Sequence, residues 1–286
     1  MPPAIHDLRS ATPSLDARGW RSGFGAGPVT PLFVAHWKRV VFVHFAVRPA
    51  DLAPHVPHAL DVVDGRAFVS LVSFTLEGLR PGTLIPERVG RALLAPVSEH
   101  AFLNLRTYVR GPAGPGIHFL AEWINNPISL HLGPLTFGLP YHLAEIERVD
   151  LPAGGLSQIH VTAPGPGATI GITVPLVRDE DAVPCRDGSL DAFLVERYTA
   201  YTHRRGVDRH FHIAHRPWDV AHVDLVRTDT PLIEAMYPWF RHAELVGAHV
   251  GPGVDEVMIG RPHRCREASA TAARAEPLVA GSPRVL

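Results

Sequence analysis

The stretch KRVVFVHFAV, residues 38–47, is followed after a short connection by GRAFVSLVSFTL, residues 65–76. Two more stretches of similar composition are AFLNLRTYVR, residues 101–110, and GIHFLAEWI, residues 116–124, which are separated by the turn residues GPAGP. All four are rich in β-branched and aromatic residues, which favour strands, and Gly and Pro clusters separate them. They predict strands of one antiparallel sheet, and this sheet decides the fold.

Outside these stretches the pattern is also mainly that of strands. Helical spacing is limited to a short turn within residues 50–57 and to SLDAFLVERYTAYTHRR, residues 189–205, where Ser189 is a suitable N-cap. Further strands are predicted near residues 157–163, 168–174, 208–215, 218–226 and 254–260. The balance predicts an α+β fold that is mostly antiparallel β, with a few helices packed on the sheet.

The two ends of the chain differ from the region between them. Residues 1–30 and 266–286 are rich in small residues and proline and offer few large apolar groups to offset the entropy lost on ordering. They predict a flexible N-terminal arm and a disordered C-terminal tail. Residues 31–265 contain no Ser/Gly linker, long charge run or internal repeat, so this region is predicted to form a single domain.

Charge and composition exclude several classes of partner. The formal net charge is −1 and basic residues alternate with acidic ones, so no electrostatic footprint for nucleic acid is expected. No signal pattern or run of about eighteen apolar residues occurs, which predicts a cytoplasmic protein without membrane contact. The sequence leaves open whether the chain forms a homo-oligomer. It also leaves open the state of Cys185 and Cys265.

The eighteen histidines raise the question of a metal site. His210 and His212 share one face of a predicted strand, with His203 and His215 nearby in sequence, and such a pair can bind zinc when a third ligand converges. No HExxH or paired-cysteine motif accompanies them, so we predict no metal. No phosphate-binding glycine loop is present either, because the glycine clusters contain prolines that lack the necessary amide hydrogens. We therefore also predict no cofactor.

Polar residues lie on two of the predicted neighbouring strands. Strand alternation places Asn104 and Arg106 on one face of residues 101–110, and places His118 and Glu122 on one face of residues 116–124. Two explanations remain open. The polar faces could line a pocket inside a barrel, or they could simply face solvent, as is common in antiparallel sheets.

Several motifs in order carry a resemblance to a known family. Together these motifs resemble the YqjF-like family of uncharacterised bacterial proteins over about residues 31–260. That family in turn looks like a branch of the acetoacetate decarboxylase-like superfamily. The resemblance implies a β-rich, barrel-like cone with a few flanking helices. The motifs are HWKRVVFVHFAVRPADLAPHVPHALDVVDGRAFVSLVSF, LNLRTYVRGPAGPGIHFL, GLPYHLAEI, FLVERYTAYT and HRPWDV.

The resemblance also implies a type of chemistry. In acetoacetate decarboxylases the segment similar to GLPYHLAEI carries two adjacent lysines; the first forms a Schiff base with the keto acid and the second depresses its pKa. This chain has Tyr141 and His142 there, and its only lysine is Lys38. The implied function is a small-molecule enzyme that acts on a keto acid or related carbonyl compound by acid/base chemistry. The alternative is a non-catalytic protein that binds a small ligand in the retained barrel.

Three residues are candidates for catalysis on this basis. Tyr141, which we expect at the start of a helix, could donate a hydrogen bond to an enolate, and His142 could transfer a proton. Glu99 lies close to where the decarboxylases have an active-site glutamate.

Four residues are candidates for contacting the substrate: Arg106, His118, Glu122 and Trp218. The guanidinium of Arg106 matches a carboxylate in a bidentate pair, although a salt bridge within the sheet would explain it equally well. Trp218, in the HRPWDV motif, is expected to be an aromatic residue of the core or of the cavity wall. The small-molecule ligand itself cannot be named from the sequence.

Overall fold

A computed structural model of the chain describes Asp16 and residues 19–22, 29–82 and 86–265. The helices are α1 (Pro49–Leu52), α2 (Glu87–Leu94), α3 (Ser129–Thr136), α4 (Leu190–Val195) and α5 (Pro231–Met236). The strands are β1 (Arg21–Ser22), β2 (Pro31–Val47), β3 (Ala59–Leu60), β4 (Ala67–Pro81), β5 (His100–Gly111), β6 (Gly114–Ile124), β7 (Tyr141–Leu143), β8 (Glu145–Leu151), β9 (Leu156–Thr162), β10 (Thr169–Pro175), β11 (Val183–Pro184), β12 (Thr199–Arg204), β13 (Val207–His215), β14 (Asp219–Val223), β15 (Arg227–Asp229), β16 (Glu244–Gly260) and β17 (His263–Arg264).

Thirteen of these strands form one sheet within the described part of the chain. In it β13, β12, β6, β5, β4, β2 and β16 are neighbours in that order, and β13 also pairs with β16. These seven strands therefore surround a central space. Only two residue pairs join β13 to β16, and only two join β12 to β6, so the ring is a barrel that is weakly closed at these two places. The predicted α+β, mostly antiparallel, barrel-like fold is confirmed.

The second half of the long strand β2, residues 40–47, is buried on both of its faces. Val41, Val43 and Phe45 pack toward a second sheet, whose strand order is β15-β10-β9-β8, whereas Val40 and Phe42 belong to the apolar cluster inside the ring. Successive side chains of a strand point to opposite faces, so a strand covered on both sides needs a continuous apolar run. This explains why residues 38–47 show little alternation between polar and apolar residues.

The helix predicted over residues 189–205 is much shorter than expected. Ser189 does cap it, because its Oγ accepts a hydrogen bond from the Ala192 amide at 3.1 Å, but α4 ends at Val195. The following residues form β12, which pairs with β13 on one side and with β6 on the other. Thr199 and Thr202 are β-branched and favour a strand, and pairing on both edges outweighs the helical spacing of the apolar residues.

The ends of the chain are only partly described. Arg21 and Ser22, within the predicted N-terminal arm, pair with β13, and Arg21 Nη2 lies 2.7 Å from Asp187 Oδ1. This part of the arm is therefore docked on the sheet. Most of the remaining arm and the predicted tail at residues 266–286 lie outside the described residues. No helix in the described ranges has the length and apolar character needed to span a bilayer.

Candidate functional site

A cavity of about 370 Å³ lies inside the ring of strands. Its wall is contributed mainly by β2, β4, β5, β6, β7 and β13, together with α3. Most of the wall is apolar, which is usual for pockets that bind small organic molecules. Its larger aromatic side chains are Trp37, Phe74, Phe102, Phe119, Phe137, Phe211 and Trp218.

Polar side chains from three neighbouring strands enter this cavity. Alternation along β5 directs His100, Asn104 and Arg106 to the same face. Glu122 on β6 is opposite Asn104 in the ladder, and Tyr141 on β7 is paired with Glu122 from the other side. Arg106, Glu122 and Tyr141, which the sequence proposed as site residues, therefore line one cavity.

His118 does not belong to this group, and the expected shared face of His118 and Glu122 is wrong. The β5–β6 ladder changes register at Leu120, which is an extra residue relative to β5. Such a bulge shifts the alternation by one, so Glu122 shares the cavity face with Phe119 while His118 points away. His118 instead lies near His58, with ring centroids 6.2 Å apart, and burial lowers its pKa to about 4.

Tyr141 and His142 also separate. Tyr141 opens strand β7 and does not begin a helix, so adjacent side chains point to opposite faces. Tyr141 enters the cavity, whereas His142 is exposed, with its ring 6.1 Å from that of Trp123. The ring of Tyr141 lies against Gly133 of α3, where an added Cβ would come within 2.2 Å of it. A joint acid/base role for the two adjacent side chains is therefore not possible in this arrangement.

Glu99 lies outside the cavity, and its neighbour His100 lies inside it. Glu99 is exposed and lines a separate pocket of about 380 Å³, together with Arg39 and Arg148. His100 is buried against Phe102, with ring centroids 4.6 Å apart, and burial lowers its pKa to about 4. Near neutral pH its imidazole is therefore uncharged. The acid role expected for Glu99 inside the cavity is thus wrong, because strand alternation turns this side chain outward.

Lys38 has no access to the cavity. Its neighbour Trp37 lines the wall, whereas Lys38 Nζ forms an ion pair with Asp255 Oδ1 at 2.5 Å. Because Lys38 is the only lysine in the sequence, no lysine amine faces the cavity.

Glu122 and Tyr141 both retain their protons in this environment. Glu122 is 4% exposed and its Oε1 has no hydrogen-bond partner, so burial raises its pKa well above the usual value. Burial also raises the pKa of Tyr141, and the neighbouring Glu122 carboxyl raises it further. The cavity therefore favours the protonated forms of a carboxylic acid and a phenol, each able to donate a hydrogen bond to a ligand oxygen.

Arg106 is a buried cation without a carboxylate partner among the described residues. Its Nη2 donates to the Leu194 carbonyl at 3.2 Å, its guanidinium lies 5.3 Å from the centre of the Phe42 ring, and its Nε has no partner. The carboxylate that acts on Arg106 electrostatically is Glu196, which opposes the lowering of the Arg106 pKa by burial. Glu196 instead accepts its hydrogen bonds from the Tyr198 hydroxyl and the Trp218 amide. The alternative of a salt bridge within the sheet therefore finds no support in the described chain.

Among the polar cavity residues that were given no site role from the sequence, Asn104 and His100 stand out by their unpaired atoms. Asn104 Oδ1 and His100 Nδ1 are both buried without a hydrogen-bond partner. Such unpaired polar atoms are costly unless a ligand or water satisfies them. Alternation along residues 101–110 already placed Asn104 beside Arg106, so the pattern offered a signal for it. For His100 the signal was weak, because its position at the start of the strand is not visible in the sequence.

We expect Trp218→Ala to lower the free energy of unfolding by about 3 to 5 kcal/mol. Trp218 is 4% exposed, and its ring contacts those of Phe42 and His215 at centroid distances of 5.3 and 5.0 Å. Urea denaturation followed by circular dichroism measures the change. Leu225→Ala is the control, because Leu225 is 62% exposed and should cost less than about 0.5 kcal/mol. Equal losses in the two variants would contradict the assignment of Trp218 to the cavity wall.

Comparison with known families agrees with this architecture. The family model DUF2071, described as "Uncharacterized conserved protein (COG2071)", matches residues 34–255. The chain belongs to the DUF2071 family. This DUF2071 chain is 31% identical over 193 residues to the uncharacterized protein YqjF of Bacillus subtilis (strain 168), covering 64% of the chain and 72% of YqjF. The resemblance inferred from the sequence motifs is confirmed.

Solved structures similar to this DUF2071 chain share the acetoacetate decarboxylase-like fold. An acetoacetate decarboxylase-like enzyme from Sphingomonas wittichii RW1 has a TM-score of 0.54 at 15% identity, covering 85% of this chain and 97% of its own. Acetoacetate decarboxylase from Legionella pneumophila has a TM-score of 0.55 at 9% identity, covering 92% and 95%. The enduracididine biosynthesis enzyme MppR, complexed with pyruvate, has a TM-score of 0.55 at 13% identity, covering 86% and 95%. At these identities the likeness establishes the fold alone.

Proposed function

We propose that this protein is an enzyme that acts on a keto acid with an apolar side chain, by acid/base chemistry and without a covalent lysine intermediate. One observation carries the proposal. A buried arginine that forms no ion pair with any described carboxylate, Arg106, lies in the same apolar cavity as a protonated acid, Glu122, and a phenol, Tyr141. An anionic carbonyl compound satisfies all three groups at once.

Each part of such a substrate has a matching surface. The carboxylate pairs with Arg106, because a guanidinium binds a carboxylate through two parallel hydrogen bonds. The carbonyl oxygen accepts hydrogen bonds from Glu122 and Tyr141. The apolar side chain contacts aromatic residues of the wall, such as Phe119 and Trp218. A volume of about 370 Å³ is within the range that accommodates a molecule larger than pyruvate.

The polar groups fit proton transfer at the carbon next to the carbonyl. As a proton leaves that carbon, negative charge develops on the carbonyl oxygen, and Tyr141 and the neutral carboxyl of Glu122 stabilise it by hydrogen bonding. The uncharged imidazole of His100 is available to accept the proton. Reprotonation at carbon or at oxygen then gives the keto or the enol form, so no external oxidant or cofactor is required.

Names of the structural neighbours support a keto acid as the substrate class. Acetoacetate decarboxylase is named for its keto acid, and MppR was obtained in complex with pyruvate. A binding protein that retains the cavity without catalysis is the second candidate. The lack of any lysine facing the cavity favours it, since the covalent route of the decarboxylases cannot operate here. A binding protein of this kind would need Arg106 for affinity but would not exchange substrate protons with solvent.

The test uses phenylpyruvate as the probe in deuterated water. We expect the protein to accelerate deuterium incorporation at C3, and Tyr141→Phe to slow this about a hundredfold, the usual effect of losing one positioned donor. Borohydride added during turnover should trap no adduct. Nuclear magnetic resonance measures the exchange, and mass spectrometry detects the adduct.

Tyr237→Phe is the matched control. The Tyr237 hydroxyl donates to the Leu120 carbonyl at 2.9 Å and does not line the cavity, so exchange should be unchanged. Saturable binding of phenylpyruvate without any exchange would favour the binding protein over the enzyme. A borohydride-trapped adduct on Lys38 would overturn both candidates, because it would reveal a covalent route.

A further inference from the structure

Three metal-binding side chains meet outside the barrel cavity. Asp191 lies in α4, and His222 and His249 face each other across the β14–β16 ladder. One potential ligand atom from each lies within 4.8 Å of those of the other two. Asp191 Oδ1 is 3.4 Å from His249 Nε2 and 4.0 Å from His222 Nδ1. None of the three lines the cavity described above.

A chain of buried hydrogen bonds holds one ring nitrogen of His249. It ends at the Leu194 carbonyl, which can only accept, so the Tyr108 hydroxyl donates to it, at 2.6 Å. Ser70 Oγ therefore donates to Tyr108, also at 2.6 Å, and His44 Nδ1–H donates to Ser70 at 2.7 Å. His249 Nδ1 lies 3.0 Å from His44 Nε2, so this nitrogen is engaged inside the protein.

The other ring nitrogen of His249 is buried and unpartnered. His249 is 2% exposed, and its Nε2 has no hydrogen-bond partner among the described residues. It faces the Asp191 carboxylate oxygen at 3.4 Å, a separation that one proton or one cation can bridge.

His222 presents the same arrangement. Its Nε2 is 3.1 Å from Asp224 Oδ1, so Nε2–H donates to that carboxylate, and its Nδ1 faces Asp191 Oδ1 at 4.0 Å. Histidines that bind zinc typically have their second ring nitrogen held by a carboxylate or another acceptor in this way. Gly247 leaves room for the His222 ring, since a Cβ added at Gly247 would lie 2.9 Å from His222 Cε1.

We propose that Asp191, His222 and His249 bind one zinc ion. Two imidazole nitrogens and one carboxylate oxygen are ligands that zinc prefers, and three protein ligands leave a fourth position for water. Bonds of about 2.0 to 2.1 Å in a tetrahedron place ligand atoms roughly 3.3 Å apart, close to the Asp191–His249 distance. The side chains of Asp191 and His222 are 46% and 44% exposed, so the ion can enter from solvent. The ion would join α4 to β14 and β16.

The experiment titrates the full-length protein, first stripped with a chelator, with zinc chloride. Isothermal titration calorimetry should show one zinc per chain, and cobalt chloride should give the visible absorption of a tetrahedral site. His222→Ala and Asp191→Asn should each weaken zinc binding at least tenfold. These two residues are half exposed, so the variants should fold, and circular dichroism verifies this. The matched control replaces both His210 and His212, the HxH pair that is free of this cluster, by alanine and should bind zinc as the wild type does.

Several results would overturn the proposal. Absence of saturable zinc binding, or equal binding by the wild type and both ligand variants, would exclude the site. Loss of binding in the His210/His212 control alone would place the ion there instead. Nitrogen-15 spectra recorded at neutral pH with excess zinc report the protonation of both His249 ring nitrogens. If both nitrogens carry a proton under these conditions, a proton and not a metal lies between His249 and Asp191, and the proposal is wrong.

Discussion

Arg106→Met should weaken the binding of phenylpyruvate about a hundredfold to a thousandfold. Removing one partner of a buried, hydrogen-bonded charge pair costs about 2 to 5 kcal/mol, and each 1.4 kcal/mol is tenfold in affinity. The free protein should be no less stable than the wild type, because the substitution removes a buried charge that lacks a carboxylate partner in the described chain. Calorimetry measures the affinity, and thermal denaturation measures the stability.

Two controls separate a carboxylate clamp from a structural role of Arg106. Arg110 lies on the same strand as Arg106, but it pairs with Asp61 and does not line the cavity. Arg110→Met should therefore leave the affinity for phenylpyruvate within about threefold of the wild type. The methyl ester of phenylpyruvate lacks the charge, so its affinity should be the same for the wild type and for Arg106→Met. A large loss of ester affinity in the variant would mean that Arg106 shapes the cavity and does not bind a carboxylate.

Glu122→Gln should slow deuterium exchange about a hundredfold, because the amide retains the shape but is a weaker hydrogen-bond donor to the developing negative charge than a carboxylic acid. The same variant tests the protonation state of Glu122 through stability. The folded protein holds this proton above the usual pKa of 4.5, whereas the unfolded chain releases it. Wild-type stability should therefore fall as the pH rises above 4.5 toward the raised folded-state pKa, and Glu122→Gln should remove this part of the fall.

Glu99→Gln is the control for both readouts. Glu99 is exposed and outside the cavity, so exchange and the pH dependence of stability should match those of the wild type. Urea denaturation between pH 5 and pH 8 measures the stability. If the wild type and Glu122→Gln lose stability in parallel over this range, Glu122 is ionised in the folded protein, and its assignment as the neutral proton donor is wrong.

The local sequence was sufficient to predict most strands, because the residue composition of a strand depends on how deeply the strand is buried. The runs at residues 38–47 and 65–76 are apolar on both faces and became central strands of the ring. The alternation over residues 101–110 correctly grouped Asn104 with Arg106. The helical spacing over residues 189–205 predicted a helix that in fact ends at Val195. Tyr198 and Tyr201 fit a helix by their spacing, but they are buried equally well next to and within β12, which is paired on both edges.

The errors at the site have one physical cause in common. The side-chain period of a strand is two, so a single inserted or reassigned residue reverses the face of every residue after it. The bulge at Leu120 sent His118 to the opposite face from Glu122. The strand conformation at β7 separated Tyr141 from His142, and the start of β5 placed His100 inside and Glu99 outside.

The sequence by itself determined the fold class, the family, the absence of a lysine beside Tyr141, and Arg106 as a candidate carboxylate ligand, because these depend on residue type and local pattern. Only the tertiary structure decided which side chains share the cavity, since bulges and strand pairing are set by contacts between distant segments. It also brought Asp191, His222 and His249 together. No spacing along the chain predicts that cluster, because α4, β14 and β16 meet only when the sheet closes around the cavity.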